Sequence, residues 1–411
     1  MRIHKLQDWI ADKSGPGWYA YVKRLSANDT GLTGGHGSGI YIPAEMTQKA
    51  FPSLLANHQL NPDVYFMGRV DSHDMEVQDL RAIYYNSRVV ERRLNGRNEQ
   101  RITHWKKNVD YAPLQDPENT GALTVVAFLV PEHGGDIDLL QVWVCNDVEE
   151  EDYLESMIGD VLPAVTVFRP FDQLLAGNFQ KSLFDTIEVE IPALWGEVFP
   201  SGAEITDFVV KHYAHANSSP DERLLKRRDD EYRVFQQVED LHVLPVIGSG
   251  FDNVADFIAV ANSISNRRKS RAGRSLELHL EHIFAEEGLT AFETQALTEG
   301  HKKPDFLFPG ARSYMNHDFP DEGLNMLAVK TTLKDRWRQV INEADRIPLK
   351  YLFTLQEGVS ENQFREMSVE GVQLVVPGPI RKRFPKSLQA YILTLDEFID
   401  RMKQVQSSYL F

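Results

Sequence analysis

The strongest constraint on the fold is a change of hydrophobic period near residue 180. Before it, short apolar runs at 17–25, 39–43, 63–70, 81–86, 122–130 and 139–145 are rich in β-branched and aromatic residues and are separated by Gly, Pro, Asn and Asp. Runs of that length between turn residues predict strands, and their close spacing predicts a small barrel. The acidic stretch 147–152 leads into a helix, its acids suiting a helix N-terminus. Pro170, Gly177, Pro192, Gly196 and Pro200 then interrupt any long period. Beyond them, helical spacing marks 221–244, 254–264 and 275–288, the last with Leu276, Leu280, Ile283 and Phe284 on one face. Strand-like runs at 294–297, 305–308, 326–329, 350–355 and 372–376 interleave with helical stretches, which predicts an α/β sandwich around a mixed sheet. The expected organisation is multidomain: a β-rich domain at 1–175, a join at 176–200 and an α/β domain at 201–411.

Composition narrows the function classes. A chain of 411 residues can bury two or three cores, and 42% hydrophobic with 25% charged residues is ordinary soluble usage. A single cysteine, Cys145, excludes an internal disulfide framework and a cysteine-rich zinc site, and suits a reducing compartment. The N-terminal segment has no apolar signal region, and no run approaches the roughly 18 apolar residues of a membrane span. A cytoplasmic protein with no membrane partner is expected. The net charge of −16 argues at first against a polyanionic partner. Binding follows local potential, however. Between 88 and 107 there are seven Lys or Arg against two Glu, and between 267 and 274 five basic residues and no acid, which predicts two DNA-facing patches.

Chemistry concentrates between Pro304 and Glu343. Pro304-Asp305-Phe306 puts an acid at a strand edge, where it can offer a hard oxygen ligand to Mg²⁺. The apolar run 326–329 ends in Lys330, which can orient the attacking water and offset charge on a phosphorane-like transition state. The common arrangement has an acid two residues before that lysine, but this chain has Ala328 there. Glu343 can supply the second carboxylate from a following helix whose apolar face is Trp337, Val340, Ile341 and Ala344. Each residue alone is more often a turn or a solvated charge; together they spell metal-dependent phosphodiester cleavage. After Lys330 comes Lys334-Asp335-Arg336. Arg can bridge guanine O6 and N7 and Asp can accept from cytosine N4, so the triplet can read G·C pairs, although an acid at a helix start also has a purely structural explanation.

The blocks at 21–31, 81–88, 114–124, 265–282, 302–309 and 327–339 resemble the EcoRII restriction endonuclease family, over nearly the whole length. The resemblance implies an N-terminal DNA-binding pseudobarrel and a C-terminal restriction-endonuclease-like domain with a central mixed sheet flanked by helices. It implies a homodimeric Mg²⁺ enzyme, joined through the catalytic domain, that makes double-strand cuts at 5′-CCWGG-3′ before the first C. It further implies type IIE control, in which the N-terminal domain occludes the nuclease until it binds a second copy of the site, and pairing with a cytosine methyltransferase. The family's catalytic positions fall on Asp305, Lys330, Glu343 and Glu277, with Asp305 and Glu343 as metal ligands. Recognition falls on Lys334, Asp335 and Arg336, and stacking against an extruded base on Arg228 and Tyr232. Effector DNA binding falls on His36, Tyr41, Arg97, Glu99 and Arg101, with Arg81 and the loop 23–29 as further candidates. Asn95 and Gln100 replace basic residues of the family, which implies a weaker, less salt-dependent effector contact.

Two other functions compete. A DNA-binding regulator with a silent nuclease domain would fit the same blocks, against which the intact Asp305, Lys330 and Glu343 count. Tyrosine-based strand transfer would use Tyr314, which the sequence places in a Gly-containing loop at 310–314 without a surrounding cluster. A zinc site on His279 and His282 lacks further ligands at suitable spacing.

Overall fold

The β-rich half forms one sheet from β1 (Trp18–Arg24), β2 (Ile40–Ile42), β3 (Asp63–Val70), β4 (Gln78–Tyr85), β5 (Glu99–Thr103), β6 (Leu123–Leu129), β7 (Leu139–Val144) and β8 (Thr166–Pro170). The order is β2-β5-β4-β3-β7-β6-β1-β8, with β2 and β8 not paired to each other among the described residues. Neighbours are antiparallel except β3 and β7, which run parallel. The structure is a computed structural model and describes residues 5–32, 39–56, 59–105, 112–158, 161, 166–171, 190–251, 253–333 and 336–409. The chain divides into two compact units, Met1–Phe179 with Glu357–Gln363, and Gln180–Gln356 with Phe364–Phe411.

Alternation along the strands builds two apolar layers in the first unit. Tyr21, Val126, Phe128 and Val142 enter one cluster, while Ala20, Val22, Val125, Ala127 and Trp143 enter the other. The second layer is roofed by Leu6, Trp9 and Ile10 of α1 (Leu6–Asp12), and the first receives Met46 and Ala50 of α2 (Ala44–Ala50). Leu154 and Ile158 of α3 (Val148–Ile158), the helix expected after the acidic stretch, complete the roof. With both faces covered, β6 is a mostly apolar run broken only by the buried Thr124. Two strands were not expected from the sequence, β5 inside the basic run and β8 near the end of the β-rich domain, ahead of the join.

In the second unit, α4 (Gly202–His212) starts with a capping box of Ser201 and Glu204. Then α5 (Pro220–Ser249) starts with Ser219 accepting from the Glu222 N–H and with proline in its first turn. The two helices expected at 254–264 and 275–288 are one, α6 (Val254–Glu286). The basic run between them is helical because α5 faces it with acids. Arg268 pairs with Glu239 at 2.5 Å, Arg271 with Glu231 at 3.3 Å, and Glu286 with Arg223 at 2.7 Å and Arg227 at 2.9 Å. The sheet follows, from β9 (Glu293–Thr294), β10 (Phe306–Phe308), β11 (Asn325–Lys330), β12 (Lys350–Thr354) and β13 (Val372–Val375), in the order β13-β12-β11-β10-β9. It is mixed, as expected: β9, β10 and β11 pair antiparallel, and β11, β12 and β13 parallel. Phe284 of α6, Phe306 and Phe308 of β10, Tyr351 of β12 and Phe398 of α8 (Leu395–Tyr409, after the short α7, Trp337–Val340) pack with ring centroids 5.1–6.5 Å apart. Each buried ring of this kind stabilises by roughly 1.5–3 kcal/mol. That packing anchors β10, and with it the residue before it, Asp305. Among the described residues no helix is long and apolar enough to cross a membrane.

Candidate functional site

Asp305 and Lys330 meet at adjoining ends of β10 and β11. Antiparallel pairing of Phe306 with Leu327 fixes the two strands, so the residue before β10 comes beside the last residues of β11. Asp305 is 8% exposed. Its Oδ2 accepts from the Val329 N–H at 2.7 Å and lies 3.4 Å from Lys330 Nζ. Its Oδ1 accepts from Gln295 Nε2 at 3.0 Å, and the same nitrogen donates to Glu277 Oε2 at 3.1 Å. Thus Glu277, from α6, joins the cluster. Burial raises its carboxyl above the ordinary range, Asp305 raises it further, and Gln295 opposes both. Gln295 was not flagged by sequence, since a glutamine beside a two-residue strand carries no signal.

Glu343 is not on a helix. The residues expected to form its apolar helical face do pack inward, with Trp337, Val340 and Ala344 buried, but α7 is a single turn. The chain leaves it through a turn in which the Glu343 N–H donates to Val340 O and Ala344 takes a left-handed φ of 49°. The Glu343 carboxyl is half-buried, and Oε2 has no hydrogen-bond partner among the described residues. Burial pushes it up to about 7, Lys330 pulling it down and Asp305 pushing it up. Ala328, where many such sites carry an acid, is fully buried.

Among the described residues no group of three or more His, Cys, Asp or Glu is preassembled to hold a metal ion, and the zinc reading of His279 and His282 finds no support there. A hard divalent cation needs less: one or two carboxylates, waters and a phosphate complete its shell. Asp305 and the orphaned oxygen of Glu343 fit that requirement.

Of the recognition triplet, Lys334 and Asp335 lie outside the described residues. Arg336 is half-buried at the start of α7, its N–H donating to Leu333 O at 2.7 Å. The approach is held by the end of β12 and the residues after it: Thr354 donates to Thr331 O at 3.2 Å, and Gln356 Oε1 accepts from the Leu333 N–H at 2.8 Å.

Arg228 and Tyr232 do not flank an open slot here. Arg228 is 3% exposed and reaches Ser275 Oγ at 3.4 Å, while Tyr232 is covered by the Arg271 guanidinium at 4.9 Å. Of the second basic patch, Arg268 and Arg271 pair with acids of α5, whereas Arg274 is exposed. Tyr314 is on a short helix, Ala311–Met315, and is 1% exposed. Its hydroxyl meets both oxygens of Glu299 at 2.6 and 2.7 Å and accepts from the Arg346 N–H at 3.2 Å. Burial, then Glu299, raises its pKa far beyond that of a free phenol. A buried, doubly engaged phenol is a structural wedge, not a nucleophile.

In the first unit, β2 and β5 place Tyr41 directly opposite Arg101. Tyr41 is 39% exposed; Arg101 is buried, bonding Gly39 O at 2.9 Å and Glu99 at 3.2 Å. Arg97 is exposed in the preceding turn, over the Tyr85 ring at 5.2 Å and 4.0 Å from Glu99. Arg81 of β4 pairs with Asp63 at 2.7 Å. His36 lies outside the described residues. The 23–29 candidates are spent internally, Lys23 on Asp29 at 2.6 Å and Arg24 on Glu151 at 2.9 Å, both basic side chains buried. Gln100 is buried as well, whereas Asn95 is exposed.

Residues 235–399 match the family model described as EcoRII C terminal, and residues 14–173 the model described as restriction endonuclease EcoRII, N-terminal. The chain is 49% identical over 399 residues to the type II restriction enzyme EcoRII of Escherichia coli, covering 97% of each. It is also 24% identical over 180 residues to the type II restriction enzyme SsoII of Shigella sonnei, covering 39% of this chain and 57% of the relative. Among solved structures, metal-depleted Ecl18kI with uncleaved, modified DNA matches at a TM-score of 0.45 and 20% identity, over 51% of this chain and 80% of that one. The B3 domain of UbaLAI restriction endonuclease with cognate DNA matches at 0.27 and 18%, over 39% and 92%.

Proposed function

The chain belongs to the EcoRII family of type II restriction endonucleases, and from that premise we propose that it makes Mg²⁺-dependent double-strand cuts at 5′-CCWGG-3′, before the first C. Site-specific DNA cleavage with a divalent metal ion comes with the family; the sequence cut, the metal and the control are our reading. The observation that carries it is the meeting of Asp305 and Lys330 beside Glu343, whose Oε2 has no partner among the described residues.

In this reading Asp305 and Glu343 hold the cation, with Glu277 as a further acid. Bound Mg²⁺ would polarise the scissile phosphate and acidify the attacking water. Lys330 orients that water and offsets the charge that grows on the phosphate oxygens. Lys334, Asp335 and Arg336 read the G·C pairs. Arg228 and Tyr232 stack on an extruded central base only after leaving their places against α6. Two chains act together through their catalytic domains, one for each strand of a symmetric site. The domain at 1–175 binds a second copy of the site through Tyr41, Arg81, Arg97, Glu99, Arg101 and His36, and restrains the nuclease until it does. A cytosine methyltransferase protects the same sequence in the host.

Cutting DNA that carries one or two CCWGG sites with Mg²⁺, then sequencing the ends, tests this. Ends before the first C, formed efficiently only on two-site DNA, are expected. Removing residues 1–175 is expected to release single-site cleavage. Ends at another sequence would overturn the specificity, and a truncated chain no better on single-site DNA would overturn the restraint.

A further inference from the structure

Gln295 joins two acids that would otherwise repel each other. It follows the edge strand β9 with a left-handed φ of 52°, a backbone state that non-glycine residues keep only where their surroundings enforce it. Here Asp305 supplies part of that enforcement, its carbonyl accepting the Gln295 N–H at 3.2 Å. The same residue then returns with its side chain. Nε2 stands 3.0 Å from Asp305 Oδ1 and 3.1 Å from Glu277 Oε2. Two carboxylate oxygens can be met only by a donor, and a carboxamide nitrogen carries two N–H groups, one for each. The other Asp305 oxygen is held by the Val329 N–H and Lys330, so the aspartate is fixed from both sides.

We propose that Gln295 is a positioning residue of the cleavage site, whose carboxamide holds Glu277 and Asp305 within reach of one divalent cation before that cation arrives. A neutral donor suits the task. A lysine there would bring a charge that competes with the metal, and an apolar side chain would leave the two acids to part. The proposal rests on the reading of Asp305 as a metal ligand.

The experiment measures Mn²⁺ binding to the full-length chain by electron paramagnetic resonance, together with cleavage rates over a range of Mg²⁺ concentrations. Gln295→Met keeps the volume and removes both donors. It is expected to weaken Mn²⁺ binding about tenfold or more, the usual cost of losing a group that orients a metal ligand. The Mg²⁺ needed for half-maximal cleavage is expected to rise in parallel, with the rate at saturating metal within about threefold of wild type. Should Gln295→Met not fold, Gln295→Ala, which leaves room for water, gives the same reading. Unchanged or tighter Mn²⁺ binding, or a lower maximal rate with an unchanged metal requirement, overturns the proposal. Asp305→Asn separates the two layers of argument. If it binds Mn²⁺ as wild type does, the site itself is misassigned; if it loses Mn²⁺ while Gln295→Met keeps it, Gln295 alone is.

Discussion

Glu231 and Glu343 belong to the same unit and are both withdrawn from water, yet they are held in opposite states. Glu231, on α5, is fully buried among Arg271, Ser275 and His279. Burial alone would raise its pKa, but Arg271, His279 and Arg228 hold it down to about 2. Glu343 is half-buried, with one oxygen unpartnered among the described residues, and burial pushes it up to about 7. Desolvation is common to both; donors are not. Supplying donors to one acid and leaving an oxygen of the other without one among the described residues fits the proposal that Glu343 receives a charge from outside.

The sharpest way to press the comparison is to remove the cation beside the waiting acid. Lys330→Ala is expected to lower cleavage by about a thousandfold or more, the scale of losing preorganised charge at a reacting phosphate, while duplex binding stays within a few-fold. Cleavage as fast as wild type would dissolve the assignment. Glu231→Gln should act on stability instead, costing about 3–5 kcal/mol near neutral pH because it strips the partner from a buried arginine network. Since Glu231 titrates lower folded than unfolded, its stabilisation is present above about 4.5 and fades as pH falls toward 2, so denaturant melts of the two proteins should converge in acid.

Glu343→Gln is expected to run the other way. Its raised pKa means that wild type is least hindered below about 4.5 and loses stability as pH rises toward 7, after which the loss is constant. The glutamine form should therefore gain about 3 kcal/mol at pH 8 without metal, gain nothing at pH 4, and cut no DNA. A destabilised Glu343→Gln at pH 8 would mean that this acid is structural like Glu231. The smallest effect belongs to Tyr314→Phe, which removes one hydroxyl from Glu299 and should cost about 1 kcal/mol with cleavage retained. A covalent adduct with DNA, lost in that variant, would reverse its reading as a wedge.

What sequence could show follows the same division. Asp305 and Lys330 were legible because each is the end of an apolar run, and the ends of paired strands fall where local pattern puts them. Glu343 was legible as an acid but not in its setting. Trp337, Val340, Ile341 and Ala344 have helical spacing, yet only one turn forms before the left-handed Ala344. Arg268 and Arg271 of the basic run 267–274 looked like surface residues because their partners, Glu239 and Glu231, are some thirty to forty positions away in sequence. For the same reason Arg228 looked available. Strand β5 was hidden because a strand lined with Glu99, Gln100 and Arg101 has no apolar alternation. Gln295 had no pattern at all, its bonds to Asp305 arising only where the chain after β9 passes that residue.

The ring cluster around Phe398 sets an order on assembly. Phe398 lies 5.8 Å from Phe308, 5.1 Å from Tyr351 and 6.1 Å from Phe284, so one late residue closes the face shared by β10, β12 and α6. A growing chain that has delivered Asp305, Lys330 and Glu343, the residues proposed to cut, but not yet α8 has β10 and β12 bare on the face that Phe398 covers. Ribosome-stalled chains ending before 395 should therefore be cleaved by protease within β10 and leave DNA intact. For an enzyme that cuts DNA, a sheet face closed only by α8 would leave a chain that still lacks that helix harmless.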